Sequence, residues 1–198
     1  MCKGVKKKFI TIREEAVNVH NKYKLINFGD IHNNTFMNID QKDNKWNIFP
    51  IKFYGKINDY ALKICPNTCK IIEKCKDIQA AFFSILEPGK YIPPHKGPCN
   101  NYLRYHLALK IPKDQNNCYI KINNIKYIWN EGESIIFDDT YIHEVYNNTN
   151  EPRIVLFMDI NRPVKSIFKN ISIKLSNYAK FTNFVKTAND NIEKHYVK

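Results

Sequence analysis

Short runs rich in β-branched and aromatic residues, parted by turn-forming residues, crowd the stretch from residue 81 to 159 and limit what this chain can fold into. Strands are expected near 81–86, 103–111, 118–122, 125–129, 134–137, 143–147 and 153–159. Asn123-Asn124 between two of these runs reads as a tight hairpin, because asparagine tolerates positive φ better than most residues. Strands this closely spaced predict an antiparallel sandwich or jelly roll. A helix is expected near residues 66–76, where Pro66 and Thr68 suit its entrance and isoleucines follow.

The flanks read differently. Residues 1–45 carry the turn-rich string FGDIHNNTFMNIDQKDN and are expected to form an irregular N-terminal extension. After Arg162-Pro163, residues 164–198 are expected to be helical, with Phe181, Phe184, Val185, Ala188 and Ile192 on one face. Packing of that face on the sheet is the default; contact of a basic amphipathic helix with a membrane surface is the alternative. A length of 198 residues suits one core and one domain.

Composition narrows the setting. The chain is 43% hydrophobic and 13% aromatic, enough to fold without a disulfide framework. Its six cysteines, at 2, 65, 69, 75, 99 and 118, lack paired metal-ligand spacing; Cys65, Cys69 and Cys75 invite a zinc reading, but a helix start explains them better. Reduced thiols and a cytoplasmic location are expected, since no run approaches the length of a membrane span and the basic start lacks the apolar core of a signal peptide. The formal charge of +12 invites nucleic acid, anionic membrane or acidic protein as partner. Lys, Asn and Ile at 27, 26 and 28 residues instead mark a compositional bias of the kind an AT-rich genome gives. The lysines are dispersed apart from Lys6-Lys7-Lys8 and no nucleic-acid motif accompanies them, so nucleic acid is not expected.

Two histidines stand in distinctive strings, PPHKGPCNNYLRYHLAL around His95 and FDDTYIHEVYNNTNEPRIVL around His143. A separation of 48 residues excludes a pair one helical turn apart and favours ligands on separate strands. Imidazole coordinates iron, copper, nickel or zinc, so histidine alone leaves the metal open. Arg153 begins the candidate strand RIVLFMDI, ten residues after His143. A fixed guanidinium there suits the far carboxylate of a dicarboxylate cosubstrate, to which it can donate two parallel hydrogen bonds. In LRYHLALK, Arg104, His106 and Ala108 share one strand face, which is either solvated or lines a site, while Leu103, Tyr105, Leu107 and Leu109 share the other. Only four arginines occur beside 27 lysines, and three of them, Arg104, Arg153 and Arg162, fall in this half of the chain.

These residues resemble the aspartyl/asparaginyl β-hydroxylase family of iron(II)- and 2-oxoglutarate-dependent oxygenases. The resemblance runs from Trp46 to Pro163, about 118 residues. It rests on the ordered set Ser84, Pro88-Gly89, His95-x-Gly97, Asn100, Leu103-Arg104, His106-Leu107, Phe137-Asp138-Asp139, His143-Glu144 and Arg153. It implies a mainly β, double-stranded β-helix (jelly roll, cupin-like) with flanking helices. It implies Fe(II) held by His95 and His143, with 2-oxoglutarate and O2 as cosubstrates. Ser84 and Arg153 match the residues that hold the distal carboxylate of 2-oxoglutarate, and Arg104 with His106 match those near its chelating end.

One departure from the wider oxygenase pattern stands out. Where a His-x-Asp/Glu pair would supply a carboxylate ligand, this chain has His95-Lys96-Gly97. The resembling family can use two histidines and leave the third position to water. Asp139 is a candidate for orienting that water, or equally for stabilising the FDDT turn. Glu144 points away from His143 and is read as solvated or ion-paired. The sequon Asn147-Asn148-Thr149, just past the second ligand candidate, is read as unused. The expected activity is hydroxylation of a C–H bond, first of the β-carbon of Asp/Asn in a protein or peptide, second of a lipid acyl chain. A noncatalytic jelly-roll binding module with a basic surface is the contrasting class.

Overall fold

The computed structural model describes residues 3–31, 43–97, 99–164 and 182–196. Its centre is eight consecutive antiparallel strands: β4 (Ile78–Leu86), β5 (Lys90–His95), β6 (Tyr102–Lys110), β7 (Cys118–Ile122), β8 (Ile125–Ile128), β9 (Ser134–Phe137), β10 (His143–Asn147) and β11 (Arg153–Asn161). They divide into a major sheet ordered β4-β11-β6-β9 and a minor sheet ordered β5-β10-β7-β8. With the interleaved order set by sequence, this is a jelly roll, as the strand spacing predicts. β1 (Ile26–Asn27), β2 (Trp46–Phe53) and β3 (Lys56–Ile57) extend the major sheet beyond β4.

Local chemistry sets the turns. Asn123 and Asn124 adopt φ of 47° and 66°, the pair of left-handed residues a two-residue hairpin requires. Between β4 and β5, Pro88 precedes Gly89 at φ 72°, and Lys90 N–H closes the turn on Glu87 O at 3.2 Å. Asn147 is fully buried, and its side-chain amide donates to the carbonyls of Leu86, Glu87 and Glu151. It ties the end of β10 to the β4–β5 turn, which is why the sequon it heads is inaccessible in the folded chain.

Three apolar layers hold the sheets. The outer face of the major sheet, including Tyr105, Leu107 and Leu109, packs on Ile12, Ala16 and Val19 of helix α2 (Phe9–Lys22) and on Cys65, Cys69 and Ile72 in and beside helix α5 (Pro66–Glu73). Burying each such aliphatic side chain contributes about 1.5–3 kcal/mol. Between the sheets lie Ile92, Ala108, Cys118, Ile120, Trp129, Val145 and Val155. A third cluster joins Ile48 and Phe82 of the major sheet to Ile31 of helix α3 (Phe28–Ile31) and to Ala188 and Ile192 of helix α6 (Asn183–Tyr196), the remaining helices being α1 (Lys3–Lys6) and α4 (Asp59–Ile64). Val185, Ala188 and Ile192 are buried as expected for the C-terminal helix; Phe181 lies outside the described residues. No described helix is long and apolar enough to cross a membrane.

The expected irregular extension is corrected by α2. Its apolar residues at 9, 12, 16 and 19 recur at helical spacing, and that stripe docks on the major sheet. Glu15 then reaches from α2 to the start of α5, where its carboxylate accepts from the backbone N–H groups of Asn67 and Thr68 at 3.0 and 2.7 Å. β5, the strand of His95, was expected without bounds; its string KYIPPH contains two prolines, which are tolerated because β5 is an edge strand.

Candidate active site

The inner face of the major sheet carries the polar residues in ordered rows. Arg153 on β11 lies opposite Leu86, Val155 opposite Ser84 and Ala108, Phe157 opposite Phe82 and His106, and Asp159 opposite Ala80 and Arg104. From the facing minor sheet, His95 and His143 are direct register partners, with ring centroids 4.1 Å apart. Residues 48 positions apart are therefore side by side.

Both imidazoles are held by backbone carbonyls. His95 Nδ1 lies 2.8 Å from Pro93 O and His143 Nδ1 lies 2.9 Å from Tyr141 O. A carbonyl only accepts, so Nδ1 carries the proton in each ring and Nε2 keeps its lone pair. Burial, and the neighbouring His143, pull His95 down to about 4. Burial also lowers His143, against opposing influences from the Tyr141 carbonyl and Asp139. Neutral, tautomerically fixed imidazoles are what a divalent cation requires.

Asp138 and Asp139 turn to different partners. Asp138 Oδ1 accepts from Thr140 N–H at 3.1 Å and from its hydroxyl at 2.7 Å, and Oδ2 accepts from Arg162 at 2.5 Å. The turn is thus stabilised by Asp138. Asp139 is buried and turns toward the histidines' end of the barrel, where Oδ2 accepts from Arg104 Nε at 2.8 Å. A Cβ built on Gly97 would fall 1.8 Å from that same Oδ2. The space that a side chain at Gly97 would need is filled by the Asp139 carboxylate, so an aspartate at 97 must displace it. Glu144 faces outward, accepting from Tyr91 and Tyr146 hydroxyls at 2.8 Å each, with Lys121 at 3.3 Å.

A second group of polar atoms lies deeper. Arg153 is 2% exposed, and its Nε and Nη1 have no hydrogen-bond partner. Burial pulls its guanidinium down to about 10, opposed only by the nearby Cys118 thiol. Both ring nitrogens of His106 and the indole nitrogen of Trp129 are also buried without partners. Burial first, then the charges of Arg153 and Arg104, hold His106 well below its ordinary value and hence neutral. The Arg153 guanidinium lies over the Trp129 ring at 4.8 Å. Ser84, on the adjacent strand, has its hydroxyl 3.2 Å from the indole nitrogen of Trp46 and accepts from it. Beside this polar group runs a wall of rings: Phe28 stacks on Trp46 at 4.0 Å, Phe82 on Phe157 at 4.3 Å, and Phe157 lies 5.0 Å from His106.

The structure thus gathers His95, His143, Asp139, Arg104 and His106 around one inner face, with Arg153 and Ser84 toward its other end. Trp129, Asp159 and Tyr54 were not singled out from sequence. Alternation along RIVLFMDIN puts Asp159 on the face of Arg153 and was a usable signal; Trp129 ends the run expected at 125–129, just beyond β8, and falls in the same alternation as Ile125 and Tyr127, but nothing in that pattern marks it as part of a site. The cysteines at 65, 69 and 75 form no metal cluster among the described residues.

Residues 6–163 match the Aspartyl/Asparaginyl beta-hydroxylase family. An ornithine lipid ester-linked acyl 2-hydroxylase of Rhizobium tropici is 37% identical over 188 residues, covering 94% of this chain and 66% of that protein. The mouse aspartyl/asparaginyl beta-hydroxylase is 32% identical over 169 residues, covering 82% of this chain and 22% of that protein. The chain therefore spans about two thirds of the first relative and about a fifth of the second. A cupin domain of a transcriptional regulator from Enterobacter cloacae overlays with TM-score 0.40 at 12% identity, covering 60% of this chain and 99% of that one.

Proposed function

The chain belongs to the aspartyl/asparaginyl β-hydroxylase family, and on that premise we propose that it is an iron(II)- and 2-oxoglutarate-dependent hydroxylase of an unactivated C–H bond. The observation that carries the reading is Arg153: a buried guanidinium with two unpartnered nitrogens on the inner face that the paired neutral histidines confront. An uncompensated buried cation is costly, and a dicarboxylate is the ligand that would neutralise it.

His95 and His143 would hold the iron through Nε2, and Asp139, whose carboxylate fills the space beside Gly97, would accept a hydrogen bond from a water at the metal's open position. Arg153 and Ser84 would take the distal carboxylate of 2-oxoglutarate, with Arg104 and His106 nearer the metal-chelating end. Iron held there would activate O2, the oxidant, with two of its four electrons drawn from 2-oxoglutarate as it is decarboxylated to succinate and CO2 and two from the substrate C–H bond. The residues contribute orientation and exclusion of water: every group named is buried or half-buried between two sheets.

Two substrate classes fit the family, an Asp/Asn β-carbon and a lipid acyl chain. The acyl chain is favoured by two features. Arg104 and Arg162, the guanidinium groups around the histidine end among the described residues, are already charge-paired with Asp139, Asp159 and Asp138, which weakens the case for a substrate carboxylate there. The rings of Phe28, Phe82 and Phe157 make the surroundings of His106 apolar instead. The relative matching 94% of the chain bears an acyl hydroxylase name.

Anaerobic titration with iron(II) and then 2-oxoglutarate, followed by O2 and mass spectrometry against lipid and peptide panels, tests this. Succinate formation with a hydroxylated acyl chain is the expected result. A hydroxylated peptide would reverse the substrate order. Absence of both iron binding and succinate would leave the noncatalytic binding module.

A further inference from the structure

Arg104 is gripped from two sides. Its Nε donates to Asp139 Oδ2 at 2.8 Å, its Nη1 donates to Asp159 Oδ1, and its guanidinium lies over the Phe157 ring at 4.8 Å. Two in-plane acceptors and a ring beneath leave the planar group no rotational freedom. Asp159 is itself held: it stands directly opposite Arg104 in the β11–β6 register, and the Tyr54 hydroxyl donates to its Oδ2 at 3.4 Å. Tyr54 does this from a backbone φ of 40°, a region L residues avoid, with its N–H on Gln79 O at 2.7 Å.

The two ends of this chain of contacts differ in rigidity. Asp159 and Arg104 are on central strands, whereas Asp139 is on the turn between β9 and β10. A carboxylate on a turn keeps its rotamer only if something fixed holds it, and the fixed partner here is Arg104. A buried ion pair adds little net stability over an apolar filling, so the arrangement is better explained by the geometry it imposes.

We propose that Asp159 and Tyr54 are positioning residues: they orient Arg104 so that it keeps the Asp139 carboxylate in the space beside Gly97, where a third protein ligand would otherwise stand. The inference rests on His95 and His143 being the metal ligands. It adds an outer set of groups, Asp159 two contacts and Tyr54 three contacts removed from Asp139, that decides where the third-position water is held.

Cobalt(II) titration of metal-free protein tests it, because the visible bands of cobalt report ligand geometry without turnover. Asp159→Asn keeps the shape and removes the charge; Tyr54→Phe removes one hydroxyl. In Asp159→Asn the cobalt bands are expected to move toward those of Asp139→Asn, and kcat to fall about tenfold to a hundredfold, the usual range for groups that orient a metal's surroundings. The 2-oxoglutarate KM is expected to change less than kcat. Asp139→Asn/Asp159→Asn is expected to be no slower than Asp139→Asn alone. Wild-type bands and kcat in Asp159→Asn, or rate losses that multiply in the double variant, overturn the proposal. If Asp159→Asn does not fold, the same spectral comparison on Tyr54→Phe decides, with unchanged bands overturning it. Failure of wild-type protein to take up cobalt, or bands that survive in His143→Ala, would instead sink the metal assignment beneath it.

Discussion

Arg153 and Arg104 project from the same inner face of one sheet into opposite electrostatic circumstances. Arg153 has two nitrogens without partners and is pulled down to about 10 by burial. Arg104 would also be depressed by burial, but Asp159 and Asp139 outweigh that and raise it above its ordinary value. Asp159 in turn stays above the usual carboxylate range, because its burial outweighs the attraction of Arg104. One end of the barrel therefore holds an unpaired buried cation, which on the proposed function an entering anion would complete; the other holds a cation paired within the chain, which on the proposal above serves as a fixed support. Ligand affinity should reside at the first end and geometric precision at the second.

Replacing the histidines bears on both ends at once and should have the largest effect. His95→Ala and His143→Ala are each expected to abolish high-affinity metal binding and turnover, since two protein ligands leave no reserve; equilibrium dialysis against iron(II) checks this, and retained affinity in both would remove the metal from between the two arginines. Arg104→Gln comes next. It leaves two buried carboxylates without a countercharge, and because the Arg104 side chain keeps 22% exposure the loss should sit near the low end for a broken buried pair, about 3 kcal/mol of unfolding free energy. Urea unfolding of metal-free protein would show it, and an unchanged midpoint would mean the paired end is not electrostatically complete.

Arg153→Lys should spare metal binding but raise the 2-oxoglutarate requirement. Loss of one charge-assisted hydrogen bond costs about 1.5–3 kcal/mol, roughly tenfold to over a hundredfold in affinity. Calorimetric titration in the presence of metal separates the two effects; collapse of metal affinity with unchanged 2-oxoglutarate binding would move Arg153 into the metal's support. The smallest and sharpest contrast is Arg153→Met. Removing an uncompensated buried charge should leave metal-free stability unchanged or raise it by about 1 kcal/mol, while abolishing 2-oxoglutarate binding. A large loss of stability in this variant would show that Arg153 is satisfied without a ligand, and the comparison with Arg104 would fail.

Much of this was legible in the residues, for identifiable reasons. The runs at 118–122, 134–137 and 143–147 match β7, β9 and β10 end for end, because alternation and flanking turn residues agree there. His95 and His143 converge as expected once both lie on strands of one sheet. The bounds of β5 were not legible, because two prolines in KYIPPH suit a strand only at an edge, and local sequence does not say which strand is one. α2 was hidden behind the polar string that follows it, although its apolar spacing was present. Pairing across strands was what sequence withheld: Asp159 and Arg104 are 55 residues apart, and nothing local couples them. Trp129 gains its interest from burial beside Arg153, which only tertiary packing creates. Of the two readings of Asp139, the turn contacts fall to its neighbour Asp138, while Asp139 pairs with Arg104.

The amide of Asn147, with its three carbonyl partners, makes sugar attachment and closure of the barrel mutually exclusive fates for any one chain. In a compartment that glycosylates nascent protein, each molecule would be sorted by which event came first: the sequon is reachable only before β10 meets the β4–β5 turn. Glycan occupancy at Asn147, after expression along a secretory route, would then serve as a clock for the closing of the jelly roll.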